Sequence, residues 1–339
     1  MSFETMRVAE VDRPGAPIEI SDRPVPEPAD GQVRVAVEAC GVCHSDVFAK
    51  EGNWPGIEYP RVPGHEVAGR IDAVGADVSG WAVGDRVGVG WHGEHCFECE
   101  PCRRGEFIDC EHEAVTGIDT DGGYAEYLTA PTHALARIPD ELDTVEAAPL
   151  LCAGVSTFNA LRKSDARPGD IAAVQGLGGL GHLGVQFAAA AGLETVAISR
   201  GTEKRDLAFD LGADHYVDAT TTDPADALQE EGGAAVILST APSSEAIESV
   251  LGGLGIDGQL YPLGVPDEPI GVEIPTLITN QRSIHGHSSG TARDSQDTLE
   301  FAAHQSITPT VETFSLEDAA TAYDRMMDGD VTGRAVLVP

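Results

Sequence analysis

Two patterns of hydrophobic and polar positions divide the chain. Up to about residue 153, apolar and polar residues alternate in short runs separated by glycine, as at residues 33–37, 69–74 and 85–89. Alternation with a period of two is typical of strands that bury one face. The first part of the chain is therefore predicted to be β-rich, with the proline-rich residues 22–31 forming a surface turn ahead of its first strands.

From about residue 154 to residue 285 the pattern is different. Short apolar runs that suit buried strands occur at residues 171–174, 195–198, 235–239 and 259–262. Helical patterns fill residues 180–191 and 203–211, and the acidic residues 219–233 are predicted to form a solvated helix. Strands that alternate with helices form a parallel sheet covered on both faces. The predicted fold class is α/β, with a doubly wound domain at 154–285.

The last part of the chain is predicted to return to the first domain. Helical patterns lie near residues 301–305 and 316–329, and an apolar run ends the chain at 334–339. The first domain would then comprise residues 1–153 and 286–339. Two domains also agree with a length of 339 residues, which is too great for one compact core.

The composition narrows the class of protein. The sequence contains no run of 18 apolar residues, so no membrane-spanning helix is expected. The opening stretch MSFETMRVAE lacks the apolar core of a signal peptide, which predicts a cytoplasmic protein.

The net charge is extreme. It is −35, from 56 acidic against 21 basic residues, and only Lys50, Lys163 and Lys204 among the bases are lysine. Such a charge repels itself in dilute solution and is screened in concentrated salt, which predicts a protein from a halophile. The alternative is an ordinary acidic protein. In either case nucleic acid is a poor partner, because phosphate binding needs a basic surface.

Four of the seven cysteines follow the spacing Cys96-x2-Cys99-x2-Cys102-x7-Cys110. Short gaps let successive thiolates converge on one ion, and four sulfurs suit a closed, structural zinc site in a lobe at residues 92–113. Two disulfides are the competing interpretation, which a reducing cytosol disfavours. A zinc ribbon that binds nucleic acid is disfavoured by the acidic residues around the sulfurs.

A glycine-rich turn follows the predicted strand at 171–174. It reads GLGGLG, in which Gly176, Gly178 and Gly181 have GxGxxG spacing and Leu177, Gly179 and Leu180 lie between them. In a strand–turn–helix context this spacing places a dinucleotide pyrophosphate at the helix N-terminus. The alternative is a glycine-rich turn without a ligand.

The end of the next predicted strand bears on the choice of dinucleotide. NAD sites normally place an acidic residue there, whereas this chain has Ser199 and Arg200, followed by Lys204 and Arg205. Serine and basic side chains would bind a 2′-phosphate, so NADP is predicted and NAD is less favoured. The alternative is that these bases lie on a solvated helix face, which suits Arg205 best.

The other cysteines carry no local metal spacing. Cys43, His65 and Cys152 are far apart in sequence, and a lone buried cysteine is most often an inert small hydrophobe, the interpretation kept for Cys40. However, GVCHSD, PGHE, the four-cysteine segment, GGYAEY, LCAG and GLGGLGH occur in this order over the whole chain. Together they resemble the zinc-dependent medium-chain alcohol dehydrogenases, and most closely the branch of yeast-type, propanol-preferring and cinnamyl alcohol dehydrogenases.

The resemblance implies a GroES-like catalytic domain and a second zinc site. Cys43, His65 and Cys152 would bind a catalytic zinc whose fourth position is open to water or substrate. Asp46 would orient the His65 ring, and Glu66 would approach the metal when substrate leaves. The reaction implied is hydride transfer between an alcohol, or an aldehyde in reverse, and NADP(H).

The resemblance also assigns contacts to the cofactor and the proton path. It places His44 at the cofactor pyrophosphate and Ser45 at the start of a proton relay, while Thr157, Leu263, Gly264 and Val265 would hold the nicotinamide. Many relatives end the relay with a histidine where this chain has Phe48, so water or another group must complete it. Walls of the substrate pocket are expected at Trp54, Trp91 and Leu263. A homodimer or homotetramer is expected.

Two other functions are open at this level. A zinc-free quinone or enone reductase of the same fold would lack both sets of metal ligands. A non-enzymatic zinc-binding interaction protein would have no use for the dinucleotide turn. His285 and His287 are predicted to act at a hinge rather than as a metal-binding pair.

Overall fold

The computed structural model describes residues 4–339, which form two units. One unit comprises residues 4–155 and Gly290–Pro339, and the other comprises Ser156–Ser289. The strands are β1 (Thr5–Val11), β2 (Ile18–Pro24), β3 (Gln32–Val42), β4 (Val67–Val74), β5 (Arg86–Val89), β6 (His92–Glu94), β7 (Ala114–Val115), β8 (Tyr127–Pro131), β9 (Leu135–Arg137), β10 (Ile171–Gln175), β11 (Glu194–Ser199), β12 (His215–Asp218), β13 (Ala234–Ser239), β14 (Leu254–Pro262), β15 (Ser283–Ile284), β16 (Val311–Ser315) and β17 (Arg334–Val338).

Helices connect these strands. They are α1 (Val47–Glu51), α2 (Glu100–Arg104), α3 (Thr144–Pro149), α4 (Val155–Lys163), α5 (Gly181–Ala190), α6 (Arg205–Asp210), α7 (Pro224–Glu230), α8 (Ser244–Leu251), α9 (Ile274–Ile278), α10 (Ala292–Gln305) and α11 (Ala319–Met327). None of the helices within residues 4–339 is long and apolar enough to cross a membrane.

The first unit is built on a seven-stranded sheet. Its order is β16-β17-β3-β4-β5-β9, and β8 also pairs with β3. The long strand β3 alternates half-buried and buried residues until it becomes fully buried near Val42. Its valines, together with Val67 of β4 and the valines of β5, form the core with Tyr124 and Tyr323. This β-rich unit is the GroES-like part of the predicted fold, which is confirmed.

One expectation for the first unit was wrong. Residues 22–31 were expected to be a turn ahead of the first strands, but Asp22–Pro24 belong to β2, which pairs antiparallel with β1. Alternating residues of β1 are buried, and the β2 partners are mostly exposed. The strand begins with the short alternation Ile18-Glu19-Ile20-Ser21 and continues with Asp22, Arg23 and Pro24, which are rare in strands, so its sequence signal is weak.

The second unit contains a parallel sheet of six strands. Their order is β12-β11-β10-β13-β14-β15. Numbered from β10, this is the 3-2-1-4-5-6 order of a doubly wound Rossmann sheet, in which ligands bind where the order reverses. The reversal lies between β10 and β13, beside the start of α5. The central strands β10, β11 and β13 are almost fully buried because helices cover a parallel sheet on both faces.

Candidate active site

Three separate segments of the first unit bring Cys43, His65 and Cys152 together. Cys43 follows the last residue of β3 and precedes a single 3-10 turn at His44–Asp46. His65 lies just before β4, and Cys152 lies in a π-helical turn at Leu150–Gly154. Such widened turns often occur at functional sites because they redirect one side chain out of the regular helix surface.

The side chains of these residues converge on one point. Candidate ligand atoms of Cys43, His65, Glu66 and Cys152 all lie within 4.8 Å of one another. The Cys43 and Cys152 sulfurs are 3.8 Å apart. Two sulfurs bound at ~2.3 Å to one tetrahedral ion would lie roughly 3.8 Å apart, so the spacing fits zinc. The His65 Nε2 atom is buried and has no hydrogen-bond partner among residues 4–339, as expected of a ligand nitrogen.

Asp46 fixes the direction of that nitrogen. Its Oδ1 atom lies 3.1 Å from His65 Nδ1, so Nδ1 carries the proton and Nε2 presents its lone pair. Its Oδ2 atom accepts hydrogen bonds from the Cys43 amide at 2.9 Å and from the Tyr124 hydroxyl at 2.8 Å. The contact with Tyr124 was not predicted from the sequence.

The local charges favour thiolate at Cys43. The hydrogen bond from the Cys152 thiol lowers the pKa of Cys43 well below the usual value, although burial opposes that change. Cys40 behaves differently, because burial raises the pKa of its thiol well above the usual value. Cys40 is therefore a protonated core residue, in agreement with its interpretation as an inert hydrophobe.

Glu66 lies beside the ligands in a buried ion pair. Its Oε1 atom accepts a hydrogen bond from the Arg334 guanidinium on β17, and both residues are buried. Burial raises the pKa of Glu66 to about 8, although the charge of Arg334 opposes that rise. The Oε2 atom has no partner within the described part of the chain. One oxygen of the Glu66 carboxyl group is therefore held by arginine, and the other has no hydrogen-bond partner among the described residues.

An aromatic wall borders the same point. The rings of Phe48, Trp54 and Trp91 contact one another, with centroids 5.4, 6.4 and 5.8 Å apart. Trp91 also meets the His65 ring edge to face at 4.9 Å. Trp91, one of the expected pocket walls, thus lies beside the histidine, and Trp54 and Phe48 pack against Trp91.

The four-cysteine segment forms a second convergent set. Ligand atoms of Cys96, Cys99, Cys102 and Cys110 lie within 4.8 Å of one another, and Cys110 Sγ is 3.6 Å from Cys96 Sγ and 3.8 Å from Cys99 Sγ. These distances fit a tetrahedral ion and are far longer than a disulfide bond.

Backbone amides support this set as thiolates. Cys110 Sγ accepts hydrogen bonds from the amides of Cys96 and His112, both at 3.3 Å. The Cys102 amide lowers the pKa of Cys99 to about 7, whereas burial raises the pKa of Cys102 to about 12. All four sulfurs can be thiolates together only with a cation among them, and the donor set is the one that zinc prefers.

A histidine cluster beside this lobe was not predicted. The Nδ1 atom of His92 lies 2.8 Å from Glu113 Oε1, and its Nε2 atom lies 2.9 Å from His95 Nδ1. His95 stacks on Phe107 at 4.3 Å and contacts His133 at 4.5 Å. Burial, followed by the charges of His133 and His92, lowers the pKa of His95 to about 4, so this ring is neutral and packs like an aromatic residue.

The glycine-rich turn of the second unit has an open backbone. Gly176 has φ +90°, and a Cβ atom on Gly181 would lie 1.7 Å from the Gly176 carbonyl oxygen. A Cβ atom on Gly178 would meet no atom within 4 Å, so the backbone there is accessible to a ligand. Leu177 is buried, Gly179 is half-buried and Leu180 precedes α5. The open Gly178 backbone at the start of α5 fits a pyrophosphate.

The basic residues lie next to this turn. Ser199 is the last residue of β11, and Arg200 follows it in an exposed position. Lys204 Nζ donates a hydrogen bond to the Leu177 carbonyl at 3.0 Å, so its charge lies over the glycine-rich turn. Arg205 instead stacks its guanidinium 5.7 Å from the Phe209 ring, in agreement with a surface role.

The remaining predicted residues are distributed over both units. His44 is exposed and Ser45 half-buried in the first unit, and Thr157 is buried on α4. The amides of Leu263 and Gly264 donate to the Ser239 carbonyl, and Val265 is 76% exposed.

The two histidines near residue 286 are tied to one tyrosine. His285 stacks on Tyr261 at 5.1 Å, and His287 meets the same ring at 6.2 Å. The hinge role of His285 and His287 stays a prediction.

Comparisons with known proteins agree along almost the whole chain. The family model "Alcohol dehydrogenase GroES-like domain" matches residues 29–140, and "Zinc-binding dehydrogenase" matches residues 179–304. An alcohol dehydrogenase from Geobacillus stearothermophilus is 41% identical over 334 residues, which cover 98% of each chain.

Solved structures share the fold. CAD from Helicobacter pylori complexed with NADP(H) has a TM-score of 0.86 at 26% identity, with 98% of each chain covered. Acetophenone reductase from Geotrichum candidum in complex with NAD has a TM-score of 0.87 at 26% identity, covering 100% of this chain and 98% of that one.

Proposed function

Because the chain belongs to the zinc-type medium-chain alcohol dehydrogenase family, we propose that it transfers a hydride between an alcohol and NADP(H) with the help of zinc. The reverse reaction would reduce an aldehyde. The observation that carries the proposal is the convergence of Cys43, His65 and Cys152 around a buried histidine nitrogen that has no other partner among the described residues.

Cys43, His65 and Cys152 would hold the catalytic zinc, and the four cysteines of the lobe would hold a structural zinc. Three protein ligands leave one position for substrate, whereas four cysteines leave none. A zinc ion at the first site supplies Lewis acidity that lowers the pKa of an alcohol hydroxyl.

The neighbouring side chains complete the site. Asp46 keeps the proton of His65 on Nδ1, and Arg334 holds one oxygen of Glu66 while the other remains free. Ser45 would accept the proton of the alcohol. Phe48 has no group that can take it further, so water must carry the proton from Ser45 to solvent.

The cofactor would be NADP. Glu or Asp at the end of β11 would repel a 2′-phosphate, whereas Ser199 can donate a hydrogen bond and Arg200 and Lys204 supply positive charge. Structural relatives bind either dinucleotide, so the proposal rests on these three side chains. His44, Thr157 and residues 263–265 would contact the rest of the cofactor.

The domain assignment follows from these roles. Residues 1–153 and 286–339 would form the catalytic domain, and residues 154–285 the NADP-binding domain. The chain would belong to the branch of yeast-type, propanol-preferring and cinnamyl alcohol dehydrogenases. It would act as a homodimer or homotetramer in the cytoplasm of a salt-adapted cell, where free thiols stay reduced.

A zinc-free quinone or enone reductase of this fold has no use for seven metal-ligand side chains. Metal analysis of the purified protein decides between the two functions, with two zinc ions per chain expected here and none for the reductase.

Replacement of Cys43 provides the mechanistic test. Cys43→Ala should remove one of the two zinc ions and nearly all NADP-dependent alcohol oxidation, because the remaining two ligands cannot hold the metal. The circular dichroism spectrum and the lobe zinc should be unchanged. Activity within a few-fold of the native enzyme would reject the proposed mechanism.

A panel of primary, secondary and aromatic alcohols with NADP would then identify the substrate class. The alcohols in the panel should differ in size, because the aromatic wall of Phe48, Trp54 and Trp91 is expected to limit which substrates fit.

A further inference from the structure

Tyr124 is a buried tyrosine whose side chain reaches the metal-ligand network without being a ligand. It is fully buried, and its hydroxyl donates a hydrogen bond of 2.8 Å to Asp46 Oδ2. The proposed function assigns no role to this hydroxyl. Burial, followed by the charge of Asp46, raises the pKa of Tyr124 well above the usual value, so the hydroxyl keeps its proton and can only donate to the carboxylate.

The backbone of Tyr124 is fixed to the segment that carries His65. The Tyr124 amide donates to the Pro63 carbonyl at 3.0 Å, and the preceding Gly123 amide donates to the Gly64 carbonyl at 2.9 Å. A Cβ atom on Gly64, which has φ +103°, would lie 2.5 Å from Tyr124 Cδ1. The ring therefore packs directly on the residue before His65, and its hydroxyl has a fixed position relative to the histidine.

Asp46 depends on a complete set of hydrogen bonds. It is buried, and its two oxygens contact three donors: His65 Nδ1, the Cys43 amide and the Tyr124 hydroxyl. A buried carboxylate that loses a donor is destabilised and rotates toward its other partners. The same rotation would move Oδ1 away from His65 Nδ1 and would release the orientation of the ring.

We infer that Tyr124 is a positioning residue for the catalytic zinc, since its hydroxyl holds Asp46 in the rotamer that directs His65 and Cys43 toward the metal. The inference rests on the proposed function, because it assumes that zinc binds Cys43, His65 and Cys152. It concerns affinity for the metal rather than any step of the reaction. Outer hydrogen-bond partners of this kind typically contribute about 10- to 100-fold to metal affinity.

The test measures release of zinc from the full-length, zinc-loaded protein to a chromogenic chelator. Tyr124→Phe keeps the ring and removes only the hydroxyl. We expect the zinc of the Cys43 site to leave about 10- to 100-fold faster, while release from the four-cysteine lobe is unchanged. The Cys43→Ala variant shows which kinetic phase belongs to which site.

Tyr127→Phe is the matched control. Tyr127 lies three residues further along, where the Arg34 guanidinium contacts its ring at 5.6 Å, and it is not a partner of Asp46. Its variant should release both zinc ions at the native rates. A loss of melting temperature alone, with both release rates unchanged, would show that Tyr124 has only a packing role and would overturn the inference.

A second variant keeps the inference testable if Tyr124→Phe does not fold. Asp46→Asn should accelerate release of the same zinc by at least as much, because Tyr124 is argued to act only through Asp46. Native release rates in Asp46→Asn would overturn the inference. A native protein that binds only the lobe zinc would instead refute the proposed function, so the two failures are distinguishable.

Discussion

Ser199, Arg200 and Lys204 show how single residues set the charge of a binding site in a very acidic chain. The chain has a net charge of −35, and Glu203 and Asp206 lie among the bases of this segment. Lys204 nevertheless directs its ammonium at the Leu177 carbonyl of the glycine-rich turn rather than at a carboxylate. A phosphate near the end of β11 would satisfy the remaining donors of these side chains.

Ser199→Asp should therefore shift the cofactor preference toward NAD. The new carboxylate repels a 2′-phosphate and removes a donor worth about 1.5–3 kcal/mol to a charged acceptor, so the ratio of kcat/KM for NADP over NAD should fall at least about tenfold. Steady-state kinetics with both dinucleotides measures the ratio.

Arg205→Ala is the control for that experiment, because Arg205 stacks on Phe209 at the surface of α6. It removes a positive charge from the same segment and should leave the ratio unchanged. A constant ratio in Ser199→Asp would show that the end of β11 does not contact the 2′ position.

At the scale of elements, the four-cysteine lobe has little other support. Its backbone contains the five-residue helix α2, one 3-10 turn and the two-stranded pair of β6 and β7. The apolar contacts within it include Phe97, which is 54% exposed, and Phe107. A segment with so small a core needs a metal to fix its fold.

Cys99→Ser should accordingly remove the lobe zinc and lower the melting temperature by several degrees, because metal binding contributes directly to the stability of such a segment. Zinc content should fall from two ions to one per chain, with the Cys43 site still loaded. Cys40→Ala, which removes a core thiol outside both sets, should retain two ions. An unchanged melting temperature in Cys99→Ser would argue against a structural metal.

The elements also show what the sequence could and could not predict. Strands β10, β11 and β13 and helix α5 lie within one or two residues of their predicted bounds, because their apolar residues form clear, uninterrupted segments. The strand β2 was missed, since its short apolar alternation ends in residues that are rare in strands.

Within the candidate site, local motifs identified the side chains but not their partners. Arg334 meets Glu66 across 268 positions of sequence, and the pairing of β3 with both β17 and β4 brings them together. Tyr124 lies in the GGYAEY motif that supported the resemblance, yet nothing in the motif says that its hydroxyl faces Asp46. Zinc binding and the individual residue roles stay predictions.

At the scale of the whole molecule, acidic residues greatly outnumber basic residues. Several arginines each contact two carboxylates, as Arg23 does with Glu10 and Asp121 and Arg34 does with Glu27 and Asp72. Acids outnumber bases by 56 to 21, so pairing every base with one acid would still leave 35 acids in excess. The folded state holds these charges closer together than the unfolded chain does, so their repulsion opposes folding.

Screening should therefore stabilise this protein. The Debye length falls from about 10 Å at 0.1 M salt to about 3 Å at 1 M, which shortens the range over which exposed carboxylates repel one another. We expect the melting temperature to rise by several degrees between 0.1 and 1 M KCl, measured by calorimetry on the zinc-loaded protein. Sucrose raises stability because it is excluded from the protein surface, and it does not screen charge. A matched sucrose series therefore separates charge screening from this exclusion effect. A melting temperature that is highest in dilute buffer would contradict both the argument from charge and the proposed adaptation to salt.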